Sequence, residues 1–89
     1  MRLVDSPIKN KKWRAIFKDE THTDFGALGY QDYTEHNDEK RKNSYLKRHA
    51  PRENWNDPKS AGALSRWILW NETTIEKSLK DYKRMFPNV

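Results

Sequence analysis

A strongly basic stretch in the middle of the chain carries the side chains best suited to bind an anion. Residues 40–52 contain six Lys or Arg residues and no Asp or Glu. Residues three or four apart share one face of a helix, so Arg41, Tyr45 and Arg48 would follow one another. Such a face would hold phosphates by charge and stack a base on the tyrosine ring. The candidate binding residues are Lys40, Arg41, Tyr45, Lys47, Arg48, Arg52 and Trp55.

This basic stretch also allows other interpretations. The preceding segment, residues 19–39, contains seven Asp or Glu residues and no Lys or Arg. The basic helix would then be a solvated surface that pairs with that segment. Arginine also binds acidic protein surfaces as readily as phosphates. Trp55 either fills the core or anchors a partner, so both a protein and a nucleic acid stay open as partners.

Residue types that support catalysis or metal binding are sparse. The chain has no cysteine, no serine in a nucleophile-elbow sequence and no glycine-rich phosphate loop. Four side chains would gather as metal ligands only if the predicted hairpin met the first helix, namely His22, Asp24, His36 and Asp38. Capping is the commoner role for such residues. We therefore expect a non-enzymatic protein with no catalytic residues, no metal site and no cofactor.

Length and composition favour one small domain over residues 1–89. The chain carries a formal charge of +5, and 34% of its residues are hydrophobic and 35% charged. These values exclude collagen-like, low-complexity and membrane-spanning chains. The aromatic content of 12% is too high for a disordered tail. Residues 1–10 lack the apolar stretch of a signal peptide, so we expect neither secretion nor a membrane span.

Periodicity and capping signals predict the elements that would position the basic residues. Alternation of Trp13, Ala15 and Phe17 with Arg14, Ile16 and Lys18 predicts a first strand, and with a return strand it predicts a β-hairpin at about residues 12–26. Cap residues predict three helices at about 34–49, 58–70 and 74–86. The predicted caps are Asp32 or a nearby Thr or Asn, then Asp57 followed by Pro58, then Thr73. The predicted fold is α+β, with an N-terminal hairpin packed on three helices.

Several short motifs between residues 13 and 86 carry a resemblance to other proteins. They are Phe25-Gly26, Gly29-Tyr30, Asp32-Tyr33-Thr34, Arg52-Glu53-Asn54-Trp55, Ser65-Arg66-Trp67 and Leu69-Trp70-Asn71. With these motifs the chain resembles a family of short basic proteins of unassigned function from large double-stranded DNA viruses of eukaryotes. The resemblance implies a viral context and supplies no activity and no catalytic residues.

The resemblance and the charge pattern together favour a structural role. We expect a minor capsid protein or capsid-associated adaptor that contacts larger virion or capsid proteins through its basic and aromatic side chains. It would lie in the virion, or in the host cytoplasm or nucleus during assembly. The alternative is a small basic protein that grips nucleic-acid phosphates through the helix at 40–52.

Overall fold

The chain forms a sheet first and a set of helices afterwards. The computed structural model describes all 89 residues. The strands are β1 (Arg2–Asp5), β2 (Lys11–Ile16) and β3 (His22–Ala27), and the helices are α1 (Tyr33–His36), α2 (Glu39–His49), α3 (Ala61–Leu64) and α4 (Ile75–Met85). A 3-10 turn at Ala50–Arg52 follows α2, and a π-helical segment at Ser65–Leu69 continues α3. The predicted α+β class is confirmed.

The hairpin β2–β3 follows the predicted alternation. Trp13 lies opposite Phe25 and Ala15 opposite Thr23 in the antiparallel register. Ala15, Phe25 and the following Phe17 are buried, so one face of the hairpin points into the core. This face is the one that the sequence assigned to the interior.

A third strand, β1, extends the predicted hairpin into a sheet of order β1-β2-β3. It pairs antiparallel with β2, with Leu3 opposite Ala15 and Val4 opposite Arg14. β1 has only four residues, and its two adjacent apolar residues do not alternate with polar ones. A strand this short carries too little periodicity to be recognised from sequence.

The first predicted helix, over residues 34–49, is two helices. Asp32 caps α1 in a complete capping box, and Asp38 caps α2 by accepting hydrogen bonds from backbone N–H groups of its first turn. Asn37 lies between them with a left-handed φ of 52°, which ends α1. Two strong cap residues close together therefore divide the predicted helix into two.

The second predicted helix, over residues 58–70, begins at Ala61 instead of Pro58. The hydroxyl of Ser60 supplies the cap by accepting a hydrogen bond from the backbone N–H three residues later, at 3.1 Å. The Pro58 carbonyl accepts a hydrogen bond from the Tyr82 hydroxyl at 2.7 Å. Residues 57–60 form a turn instead of the first helical residues, with the Ser60 N–H donating to the Asp57 carbonyl at 3.1 Å and the Lys59 N–H to the Asp57 carboxylate at 3.2 Å.

The last two helical elements differ from ideal α-helices in separate ways. In the π-helical segment the Trp70 N–H donates to the Ser65 carbonyl at 3.0 Å, which widens the turn. α4 is capped by Thr74, one residue after the predicted Thr73, and it buries Tyr82 on its inner face. None of the helices combines the length and the apolar character that crossing a bilayer would require.

The core lies between the inner face of the sheet and the C-terminal helices. Seven buried side chains form it: Ala15, Phe17, Phe25, Leu64, Ile68, Leu69 and Tyr82. The hairpin β2–β3 and Phe17, just after β2, supply three of them, and α3, the π-helical segment and α4 supply the other four. α2 contributes no residue to this cluster, so its surface is shaped by other contacts.

Candidate functional site

The acidic segment at residues 19–39 does not neutralise α2. Four of its seven carboxylates pair elsewhere: Asp32 lies 2.7 Å from Lys12, which Glu35 also contacts, Asp24 lies 3.0 Å from Arg14, and Asp19 lies 2.5 Å from Lys59. No ion pair involves any of the basic residues Lys40, Arg41, Lys47, Arg48 and Arg52. The positive charge of α2 is therefore left uncompensated within the protein.

A cleft of about 730 Å³ lies against α2. Lys40, Arg41 and Arg48 line it from the helix, and Lys11 lines it from the start of β2. None of these four has a carboxylate partner, and Arg41 makes only a 3.4 Å hydrogen bond to the Gln31 side chain. Lys12 also lines the cleft but pairs with Asp32 and Glu35. We call this surface the basic cleft, and Lys11, Lys40, Arg41 and Arg48 its four cations, meaning those without an ion-pair partner.

The single carboxylate that lines the basic cleft, Glu53, is engaged by its neighbours. It accepts a hydrogen bond from the Trp55 indole N–H at 3.0 Å and lies 3.3 Å from the Nδ1 atom of His49. Glu53 also packs against Gly62, where a Cβ would come within 2.9 Å of its Cδ. The carboxylate is thus held toward the protein, and the cleft keeps an excess of positive charge.

Tyr45 forms part of the rigid wall of the basic cleft. Its ring is stacked between those of Trp70 and His49, with centroid separations of 4.3 and 4.2 Å. Burial raises the pKa of the Tyr45 phenol above its ordinary value, and the charge of Glu53 acts in the same direction. Because the ring is only 6% exposed and covered on both faces, it has no free face for a base. The predicted stacking role of Tyr45 is therefore wrong.

The other three predicted binding residues lie outside the basic cleft. Lys47 and Arg52 are exposed but do not line it. Trp55 is half-buried, and its carbonyl accepts a hydrogen bond from the Trp67 indole at 2.8 Å. The structure therefore gathers Lys40, Arg41, Tyr45 and Arg48 at one place and separates Lys47, Arg52 and Trp55 from them.

Most of the residues that line the cleft were not predicted from sequence, and Lys11 and Tyr30 are two of them. Lys11 lies at the start of β2, and Tyr30 lies in the turn that follows β3. The side chain of Tyr30 is 75% exposed. The sequence signal for it is a tyrosine directly after Gly29 in the polar stretch between a strand and a helix.

The composite metal site that the sequence left open does not assemble. His22 lies 4.0 Å from Asp24 on the sheet. His36 instead packs against Trp70, with a centroid separation of 5.4 Å, and its Nδ1 accepts a hydrogen bond from the Asp38 N–H at 2.9 Å. Nowhere in the chain do three His, Asp or Glu side chains come together in a way that suits a metal ion.

The fold and the site define a small α+β protein with a basic cleft between its sheet and helix α2. The chain belongs to a family of unknown function (DUF5754), whose sequence model matches residues 1–49. The matched residues include all four cations of the basic cleft and exclude α3 and α4. No curated protein and no solved structure matches the chain.

Proposed function

We propose that this protein is a non-enzymatic nucleic-acid-binding protein whose basic cleft holds phosphate groups. The observation that carries the proposal is the convergence of Lys11, Lys40, Arg41 and Arg48 on one cleft without any ion-pair partner. Like charges held close together raise the local potential and attract an anion of opposite charge. No carboxylate of the chain forms an ion pair with these four cations, which leaves them available to an anionic partner.

The length of the charged row favours a polyanion over a single small anion. Lys40 and Arg48 are eight residues apart on α2, which corresponds to about 12 Å along the helix axis at about 1.5 Å per residue. Phosphates follow one another at about 3.4 Å along each strand of a duplex. The cations therefore span several phosphates, as a nucleic-acid backbone provides.

Replacing Arg48 with alanine is expected to weaken binding and to reduce its salt dependence. For the native protein on a fluorescein-labelled 20-nucleotide single strand, four phosphate contacts predict a log–log slope against salt of about −3, at about 0.7 per phosphate. Arg48→Ala is expected to reduce the magnitude of that slope by roughly 0.7. Fluorescence anisotropy titrations at several salt concentrations measure both quantities.

Two matched variants control for the loss of positive charge alone. Lys80→Ala removes an exposed lysine of α4 that does not line the cleft, and Arg52→Ala removes an exposed arginine just beyond α2. Both are expected to change the affinity less than Arg48→Ala. A flat salt response, or equal losses from Arg48→Ala and Lys80→Ala, would contradict the assignment of phosphates to the basic cleft.

A second candidate is a non-enzymatic structural protein of a large DNA-virus particle, such as a minor capsid protein or capsid-associated adaptor. Its support is the resemblance of residues 13–86 to the viral family and the exposure of Ile8, Leu28 and Tyr30, at 48, 60 and 75%. The partner would be a larger virion or capsid protein, and the location the virion or the host cytoplasm or nucleus during assembly. A stable contact takes about 800 Å² from each partner, roughly a seventh of the 5719 Å² surface.

Mass spectrometry of purified particles tests the structural candidate. The protein is expected at a copy number in constant ratio to a capsid protein, and it should resist removal by nuclease treatment. Absence from the particles contradicts this candidate. Loss of the protein together with the nucleic acid after nuclease treatment supports the nucleic-acid-binding function instead.

A further inference from the structure

We propose that the nucleic acid in the basic cleft is single-stranded and that one of its bases stacks on Tyr30. This inference rests on the proposed nucleic-acid-binding function and specifies its substrate class. It assigns the stacking role to a residue outside α2, in the turn between β3 and α1.

Tyr30 lies between the basic cleft and a second hollow. This neighbouring hollow of about 530 Å³ is lined by Tyr30 with Trp13, Leu28 and Ile75, and also by Asp32 and Glu35, whose carboxylates pair with Lys12. Of the large hydrophobic side chains Tyr30 is the most exposed, at 75%. A strand with its phosphates on the four cations has room to turn one base away from the cations and against the tyrosine ring.

The backbone holds Tyr30 in place before any ligand arrives. Its N–H donates to the Ala27 carbonyl at 3.3 Å, and the Leu28 N–H donates to the Asn10 carbonyl at 2.9 Å. Gly29 closes this turn with a left-handed φ of 92°, which a residue with a side chain would adopt at a cost. An aromatic ring on an ordered turn loses less conformational freedom on binding than one on a mobile loop.

Geometry favours an unpaired strand over a duplex. Bases in a duplex are stacked on one another and present only their edges in the grooves, so a protein ring stacks on a base only when that base is free. The cleft volume of about 730 Å³ lies within the roughly 300–1,000 Å³ typical of pockets for single ligands. Such a cleft receives a short length of single strand.

Three labelled probes separate base stacking from phosphate contacts. They are a 12-nucleotide oligothymidylate, an abasic strand of the same length, and a 12-base-pair thymidylate–adenylate duplex, each measured by fluorescence anisotropy at one salt concentration. The native protein is expected to bind the base-bearing strand most tightly. Tyr30→Ala is expected to weaken that binding about 5- to 150-fold and to leave binding to the other two probes unchanged, whereas Tyr30→Phe keeps native affinity.

Two further variants, Met85→Ala and Arg48→Ala, serve as controls for Tyr30→Ala. Met85→Ala removes another exposed apolar side chain, on α4 and outside the cleft, and is expected to change nothing, whereas Arg48→Ala weakens all three probes. If Arg48→Ala weakens binding but Tyr30→Ala does not, or if the duplex binds as tightly as the base-bearing strand, this inference falls and the proposed function stands. If Tyr30→Ala weakens binding to the abasic strand as much as binding to the base-bearing strand, this inference is also overturned. Absence of any nucleic-acid binding overturns both proposals.

A second measurement does not depend on a variant. Ultraviolet cross-linking of the native protein to a strand containing 5-iodouracil, followed by peptide mass spectrometry, is expected to place the cross-link on Tyr30. A cross-link confined to other aromatic residues contradicts the assignment. The thermal midpoint of Tyr30→Ala is expected to match the native value because the ring is largely exposed.

Discussion

Raising the pH from 9 to 12 is expected to destabilise the protein, because the buried phenols of Tyr82 and Tyr45 ionise less readily in the folded protein than in the unfolded chain. The Tyr82 side chain is fully buried and donates its hydroxyl hydrogen bond to the Pro58 carbonyl at 2.7 Å. Burial raises the pKa of Tyr82 from 10.0 to about 12, and the charge of Asp57 acts in the same direction. The folded protein therefore requires the neutral phenol.

The direction of the effect follows from the two pKa values. The unfolded chain ionises this tyrosine near pH 10, and the folded protein does so only near pH 12. Its stabilising contribution is thus fully present below pH 10 and is lost as the pH rises toward 12. A difference of about two pKa units corresponds to about 2.7 kcal/mol, compared with roughly 3–5 kcal/mol of total stability for very small domains.

Urea unfolding followed by circular dichroism at pH 8, 10, 11 and 12 measures this loss. Tyr82→Phe is the matched variant, because it keeps the ring and removes the ionising group. At pH 8 it is expected to cost about 1 kcal/mol, since the Pro58 carbonyl loses its donor. Above pH 10 its stability should fall less steeply than that of the native protein. If the free energy of unfolding falls equally with pH in the native protein and in Tyr82→Phe, groups other than Tyr82 cause the loss of stability.

Replacing Asp32 with alanine is expected to cost about 3 kcal/mol. The Asp32 carboxylate is 3% exposed, caps α1 by accepting from the Thr34 N–H at 3.0 Å, and lies 2.7 Å from the ammonium group of Lys12 on β2. The substitution removes a helix cap, worth about 1 kcal/mol. It also removes one partner of a largely buried ion pair, a loss of about 3–5 kcal/mol that is moderated because Glu35 still contacts Lys12.

Asp38→Ala is the matched control for the Asp32 prediction. Asp38 caps α2 in the same way, accepting from the Lys40 N–H at 2.9 Å, but it is exposed and forms no ion pair. Its replacement is expected to cost only about 1 kcal/mol. Urea unfolding at pH 7 gives both values. Equal losses from the two variants would show that the contact between β2 and α1 adds nothing to the cap.

The fold could be predicted from sequence where neighbouring residues decide the structure. The alternation of Trp13, Ala15 and Phe17 identified the hairpin because each residue's face follows directly from its position in the strand. The start of α3 could not be predicted in this way. The Asp57-Pro58 signal is local, whereas the hydrogen bond that the Pro58 carbonyl accepts comes from Tyr82 on the last helix, far away in the sequence.

The candidate site shows the same division between local and distant causes. Helical spacing grouped Lys40, Arg41 and Arg48 because they share one helix. Lys11 and Tyr30 reach them only through strand pairing and the turn after β3, which no spacing along the chain reveals. Tyr45 was misjudged because the ring that covers it belongs to Trp70.

The division of the core has a consequence for fragments of this chain. Residues 1–49, the stretch that the family model matches, carry the four unpaired cations of the basic cleft but only three of the seven core side chains. A fragment limited to that stretch would leave Phe25 and its neighbours open to water, so it lacks the means to fold cooperatively alone. The basic cleft and most of the core therefore lie in different parts of the sequence, and the helices after residue 49 are needed to cover the apolar face of the sheet.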